Sequence, residues 1–262
     1  MKQQRSLTRI VSQPVTIRPD TLSPGAIDLI KIMALLAMMV DHFNTLFLKV
    51  PGPELYALGR MAFPLFTMIW AVNITRAPTR LQTRANRLWI WAVVTQPAFA
   101  LAFHNHFPWY ALSILFVFAG VTQLLAWRVK YAWKGVVTGI VLLTALMYPL
   151  WPASYGLQGV LLALGLAVYF DTGITPRQRE LAGAVSFVAL FSLNGLNHLA
   201  AQPFETMMVV ILPTLLLPWF ALQLAGVLMP AGRERFMPRR FFYAAYIWHL
   251  FLFGIAVLIV GY

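Results

Sequence analysis

The sequence predicts an all-α membrane protein, a polytopic transmembrane helical bundle of about nine spans with its amino terminus in the cytoplasm. Three observations carry this expectation. Of 262 residues, 60% are hydrophobic and 11% charged, with a mean hydropathy of +0.72; soluble domains do not have that composition. Apolar runs close to the ~20 residues that a bilayer crossing requires recur along the chain. Lysine and arginine gather in every second connection between those runs, as the positive-inside bias demands.

Residues 1–25 are polar and basic, with Lys2, Arg5, Arg9 and Arg18 among scattered Ser, Thr and Pro, and read as a flexible cytoplasmic tail. The membrane domain then fills 26–262. Its first run, Ala26 to Leu48, is too long for the apolar core of a cleaved signal peptide and lacks a small-residue cleavage site. A turn at Lys49-Val50-Pro51-Gly52-Pro53 follows. The second span is expected from about Leu55 to Thr75, the third from Leu88 to Phe103, the fourth from Trp109 to Trp127 and the fifth from Gly135 to Leu150. The sixth ends near Phe170. The seventh covers Leu181 to Leu196, the eighth Thr206 to Met229 and the ninth Phe241 to Tyr262. Pro149, Pro152 and Gly156 leave open a re-entrant hairpin in place of spans five and six. Trp109, Tyr110, Trp127, Trp133, Trp151 and Tyr155 fall near span ends, where aromatic belts form.

With nine spans and the amino terminus inside, the tail and the connections after spans two, four, six and eight face the cytoplasm. They carry 4, 4, 3, 2 and 4 Lys or Arg, whereas the opposite connections carry only Lys49. The net charge of +12 is thereby a topology signal and not a nucleic-acid footprint. Cysteine is absent, which excludes a disulfide framework, a thiolate nucleophile and a cysteine-ligated metal.

The first span carries Asp28, Lys31, Asp41 and His42. Each charge at mid-helix costs roughly 2.5–3.5 kcal/mol on insertion scales, more than a simple anchor would carry. Helical spacing sets Asp28, Lys31 and His42 on one stripe, so this face is expected to line a cavity. Asp41 and Arg60 should both lie roughly 10 Å below the outer interface on neighbouring spans, at ~1.5 Å per residue. They can pair, either simply neutralising each other, or orienting His42 or stabilising a developing charge. His42 is the side chain of the stripe able to act as a base near neutral pH, although a lone histidine is more often a core residue. His249 in span nine is read as a supporting residue ahead of a catalytic one. Asn194, Asn197 and His198 at the outer end of span seven either line an outward mouth or cap a helix. Tyr155 joins His249, Asn194 and Asn197 as a supporting or substrate-lining candidate. His104 and His106 are two residues apart in a turn without further spaced ligands, so no metal is expected. Arg84 and Arg87 share one helix face at the cytoplasmic mouth of span three. They suit a phosphate because the guanidinium fork binds in bidentate fashion, while positive-inside charge explains each arginine alone. Asn73, at the inner end of span two, could serve either purpose.

Several segments carry a resemblance. AIDLIKIMALLAMMVDHFNTLF, GRMAFPLFTMIWAVNITR, RANRLWIWAVVTQPAF, FPWYALSILFVFA, SYGLQGVLLAL and FFYAAYIWHLFLFG resemble the TraX family, in order from about Ala26 to Gly254. The most specific stretches are DHFN and GRMAFPLF. The resemblance implies an inner-membrane acetylase of conjugative pilin. In spacing, the chain is also similar to membrane acyltransferases that acetylate O-antigen and related glycans. Those open with a basic residue on span one, a functional histidine eleven residues later and an Arg-x-x-Arg pair on a later span. Lys31, His42 and the pair Arg84 and Arg87 occupy these places; lysine in place of arginine is a departure that weakens bidentate phosphate binding there.

The expectation is therefore a multi-pass acetyltransferase of the bacterial inner membrane. It would move acetyl from cytoplasmic acetyl-CoA to the amino-terminal amine of pilin, with membrane lipid around it and no nucleic-acid partner. His42, Asp41 and Arg60 would form the catalytic centre; Lys31, Arg84, Arg87 and Asn73 would hold the cofactor. The alternatives are a non-enzymatic chaperone or scaffold for pilin, and a proton-coupled transporter using the buried Asp, Arg and His.

Overall fold

The computed structural model describes residues 18–193, 199, 202–238 and 240–260. Described regular structure is helical throughout. The principal helices are α1 (Pro24–Phe47), α2 (Pro53–Gly59), α3 (Ala62–Thr75), α4 (Leu81–Ala102), α5 (Leu115–Leu150), α6 (Gly156–Tyr169), α7 (Pro176–Ser192), α8 (Pro203–Leu228) and α9 (Phe241–Val260). The stretch Pro53–Thr75, α5, α8 and α9 are each long and apolar enough to cross a membrane. Their outward faces are apolar too: Leu58, Val141, Phe220, Trp248 and Ile259 are exposed. An exterior of this kind is stable against lipid and not against water. This is a membrane protein.

Local chemistry starts and stops the helices. At the head of α1 the Ser23 hydroxyl accepts from the Ala26 N–H at 3.1 Å, with Pro24 in the first turn. The same hydroxyl donates to the Met229 carbonyl at 2.8 Å, tying the start of α1 to the end of α8. Helix α7 opens on a capping box between Thr175 and Gln178 followed by Pro176. Residues 18–25, assigned to the tail by composition, are docked: Arg76 donates to the Asp20 carbonyl at 2.8 Å and the Gly25 N–H to the Arg233 carbonyl at 3.1 Å.

Three elements differ from the sequence expectation. The second span is broken, because Arg60 and Met61 form a turn between α2 and α3. The fourth begins at Leu115, not Trp109. Residues 108–114 run as a loop because the Gln96 side chain satisfies them, donating to the Ala111 carbonyl at 2.7 Å and accepting from the Ser113 N–H at 3.1 Å. The third starts early, at Leu81, so Arg84 and Arg87 sit inside the first turns of α4.

Helix α5 is two antiparallel arms. Ala132 leaves helical geometry (φ 49°, ψ −129°) in the basic segment between residues 128 and 134. The arms then fold back on each other. The Leu112 N–H reaches the Pro149 carbonyl at 2.9 Å, the Tyr110 and Tyr148 rings stack, and a side chain at Gly139 would collide with Leu124. The turn thus stands where the sequence divided spans four and five.

Chain reversals gather at two ends of the bundle. The basic end holds the Ser23–Met229, Gly25–Arg233 and Arg76–Asp20 contacts. The opposite, aromatic end holds the Asn44–Gly52 and Ser154–Leu112 contacts. Ile30, Leu65, Ile69, Leu150, Leu162 and Leu250 are fully buried between them. Helix α1 lies inside the assembly, against α2, α3, α8 and α9, and α4 lies against α5 and α9.

Candidate functional site

A cavity of about 910 Å³ lies beside α1. Its wall takes in Lys31, Asp41, His42, Arg60, Asn73, Arg84, Arg87 and Tyr155, eight of the residues singled out in the sequence. Helical periodicity brings Lys31, Met38, His42 and Thr45 of α1 to this one wall. From Lys31 to Thr45 the helix rises about 21 Å, so the cavity runs most of the way between the two ends of the bundle.

The basic end of the cavity is cationic. Lys31, Arg80, Arg84, Arg87 and Arg235 all line it. Arg84 donates to the Asn73 carbonyl, which anchors α4 to the end of α3 and makes Asn73 a backbone acceptor here. Arg87 lies beside the Tyr243 hydroxyl, and the Tyr243 ring stacks on Trp91 at 5.1 Å. Lys31 Nζ sits 3.9 Å from Asp28 and 5.1 Å from the centre of the Phe242 ring. Asp28 is buried; it accepts from the Met237 N–H at 3.1 Å and lies 3.8 Å from Arg235 Nε. It therefore fastens the connection between α8 and α9 onto α1 and brings Arg235 to the cavity. Asp28 itself is absent from the wall, so the excess positive charge faces the open space. Arg80 and Arg235 were not singled out in the sequence, where each counted only as positive-inside charge.

Farther along, Asp41 is the one carboxylate on the wall among the described residues. It is bonded to Arg60 Nη2, the pairing expected from equal depth. Arg60 also donates through Nε to the Tyr56 carbonyl at 3.3 Å and stacks on the Tyr56 ring at 4.0 Å. The close approach of α2 to α1 needs Gly59: a Cβ there would lie 2.5 Å from Asp41 Oδ1. The break between α2 and α3 thus turns Arg60 toward α1. Tyr155, at the head of α6, stacks on Phe63 at 4.7 Å and closes this side of the cavity.

His42 lies next to this pair with its ring edge-on to Phe103, centroids 5.0 Å apart. Its Nδ1 is 3.0 Å from Nε2 of His249, which is buried behind the wall on α9. His249 Nδ1 in turn is 3.1 Å from the Ala245 carbonyl. The two histidines, read separately in the sequence, are one unit. Asn194, Asn197 and His198 lie outside the described residues.

The arrangement joins a cationic mouth to the His42 imidazole about 16 Å deeper, taking eleven residues of helix from Lys31 to His42. A comparison of sequences settles the kinship. The family model described as TraX protein matches residues 26–257. The chain belongs to the TraX family. A relative from Escherichia coli named Protein TraX is 35% identical over 240 residues, which is 90% of this chain and 89% of the relative. Another of that name, from Escherichia coli strain K12, is 33% identical over 239 residues, again 90% and 89% of the two chains. No solved structure matches. The TraX match takes in α1 to α9 almost entire, with every residue described above on the cavity wall inside it.

Proposed function

We propose that this TraX-family protein is an acetyltransferase of the bacterial inner membrane that moves acetyl from cytoplasmic acetyl-CoA to the amino-terminal amine of conjugative pilin. The observation that carries the reading is the cavity, cationic at one end and furnished with His42 at depth. Its volume is at the upper end of the ~300–1,000 Å³ common for ligand sites. The charged nucleotide of the donor would stay at the basic end, on Arg84, Arg87, Arg235 and Lys31. Its pantetheine arm, on the order of 15–20 Å when extended, would carry the thioester to His42. The pilin amine would come from the aromatic end.

In the transfer, the amine nitrogen attacks the thioester carbonyl carbon. His42 takes the N–H proton, the C–S bond breaks and the CoA thiolate then receives that proton. The Asp41–Arg60 pair holds neighbouring charge fixed beside the developing oxyanion. Mass spectrometry of pilin from cells with and without this protein tests the reading. An added acetyl group that depends on the protein supports it; unmodified pilin in both overturns it in favour of a scaffold.

The orientation belongs to the same reading, with nine crossings and the basic end in the cytoplasm. A reporter fused after Lys130 is expected to be active in the cytoplasm and one fused after Tyr262 in the periplasm. Activity of both on one side overturns it.

The cofactor mouth has its own expected result. Arg84→Ala combined with Arg87→Ala should weaken acetyl-CoA binding by tenfold or more, given ~1.5–3 kcal/mol for each charge-assisted phosphate bond. Arg80, Arg235 and Lys31 remain, so binding is weakened and not abolished. Calorimetry on the detergent-purified protein measures it, and an unchanged affinity removes these arginines from the mouth.

A further inference from the structure

We infer that His249 is a positioning residue that fixes the tautomer of His42, leaving His42 Nε2 as the nitrogen that takes the proton. The inference rests on the reading of His42 as the base and deepens it. The Ala245 carbonyl can only accept a hydrogen bond, so His249 Nδ1, 3.1 Å away, carries a hydrogen. In a neutral imidazole the other nitrogen is then bare. His249 Nε2 is thus an acceptor, and its partner 3.0 Å away, His42 Nδ1, must be the donor. That leaves His42 Nε2 without a hydrogen. Because Nδ1 is engaged with α9 and His42 lines the cavity, Nε2 is the ring nitrogen left for a substrate. One backbone carbonyl on α9 therefore sets the proton inventory of a side chain on α1, through a histidine that does not reach the cavity.

The order of bonds has a chemical consequence. When His42 Nε2 takes the amine proton, Nδ1–H of the resulting imidazolium still points at a lone pair on His249, and that bond strengthens as the charge forms. His249 acts on the transition state through His42 and touches no reacting atom. Outer partners that orient a working histidine in this manner typically contribute about 10–100-fold. Free imidazole side chains prefer the opposite tautomer, with the hydrogen on Nε2. Without His249 the working nitrogen would be blocked by its own proton.

The test combines ¹⁵N NMR with kinetics. In selectively ¹⁵N-histidine-labelled protein, with the His42 signals assigned by their loss in His42→Gln, wild type should show a protonated Nδ1 and a bare Nε2 at His42. His249→Phe, similar in bulk but without an acceptor, should move His42 to the Nε2–H form. It should lower kcat by about 10–100-fold and leave KM for acetyl-CoA within about twofold. His249→Gln, whose amide oxygen can accept from His42, should recover most of that rate. Finding the Nε2–H form in wild type, or the Nδ1–H form unchanged in His249→Phe, overturns the inference. The wild-type spectrum decides it even if His249→Phe fails to fold. Failure of the base itself reads differently: an active His42→Gln protein removes the base while the tautomer of wild-type His42 stands as measured.

Discussion

His42→Gln is expected to abolish pilin acetylation while the protein still inserts and binds acetyl-CoA. Glutamine is the informative choice because of what His42 touches. Its amide N–H can replace His42 Nδ1–H as the donor to His249, 3.0 Å away, and its length keeps contact with Phe103. The bond between α1 and α9 therefore survives the substitution. What glutamine cannot do is take a proton near neutral pH. General base catalysis typically contributes ~10²–10⁴-fold, so the residual rate should fall by that much. His42→Ala should be equally inactive, with an added loss of stability from the unpaired His249 beneath it. If His42 were only a packing residue, the order would reverse: His42→Gln would acetylate near the normal rate and His42→Ala would suffer. Pilin mass spectra and acetyl-CoA titration of the two variants separate these outcomes. A well-expressed, active His42→Gln protein would falsify the mechanism.

The features legible in the sequence were those with a local cause. Hydropathy and loop charge located the helices, and even the antiparallel arms of α5 followed from the basic segment around Ala132. Helical periodicity placed Lys31 and His42 on one wall, and equal depth paired Asp41 with Arg60. The misses have a different origin. Residues 109–114 read as helix from sequence because Trp109 and Tyr110 are apolar, and hydropathy is blind to Gln96 satisfying that backbone. The turn at Arg60 and Met61 lies inside a run apolar enough to span, so hydropathy gives no sign of it, and the close approach to Asp41 that Gly59 permits is visible only in the structure.

The site's largest omission was the contact between His42 and His249. The two are 207 residues apart, and no periodicity within either helix relates them. The contact exists because α1 packs on α9, and packing partners among uniformly apolar helices leave little trace in composition. Arg235 was missed for a related reason. Its charge is sufficiently explained by topology, and its place at the cavity depends on Asp28 holding the α8–α9 connection.

Asp41→Asn is expected to cost stability as well as activity, unlike His42→Gln. Asp41 and Arg60 are both largely removed from solvent, with side chains 19% and 9% exposed. Removing one partner of such a pair leaves the other charge uncompensated, a loss of about 3–5 kcal/mol where burial is good. Arg60 keeps the Tyr56 carbonyl and ring after the substitution, which places the loss toward the lower end of that range. Adding Arg60→Gln to Asp41→Asn should recover part of the stability, because two neutral amides can still bond to each other across α1 and α2. It should not recover activity, because the fixed charge next to His42 is gone. Thermal unfolding in detergent, run beside acetylation of pilin, measures both. The double-mutant cycle then isolates the coupling between the two residues. A coupling near zero would mean that the pair does not hold α2 to α1, and recovery of acetylation together with stability would mean that its only role is to neutralise charge.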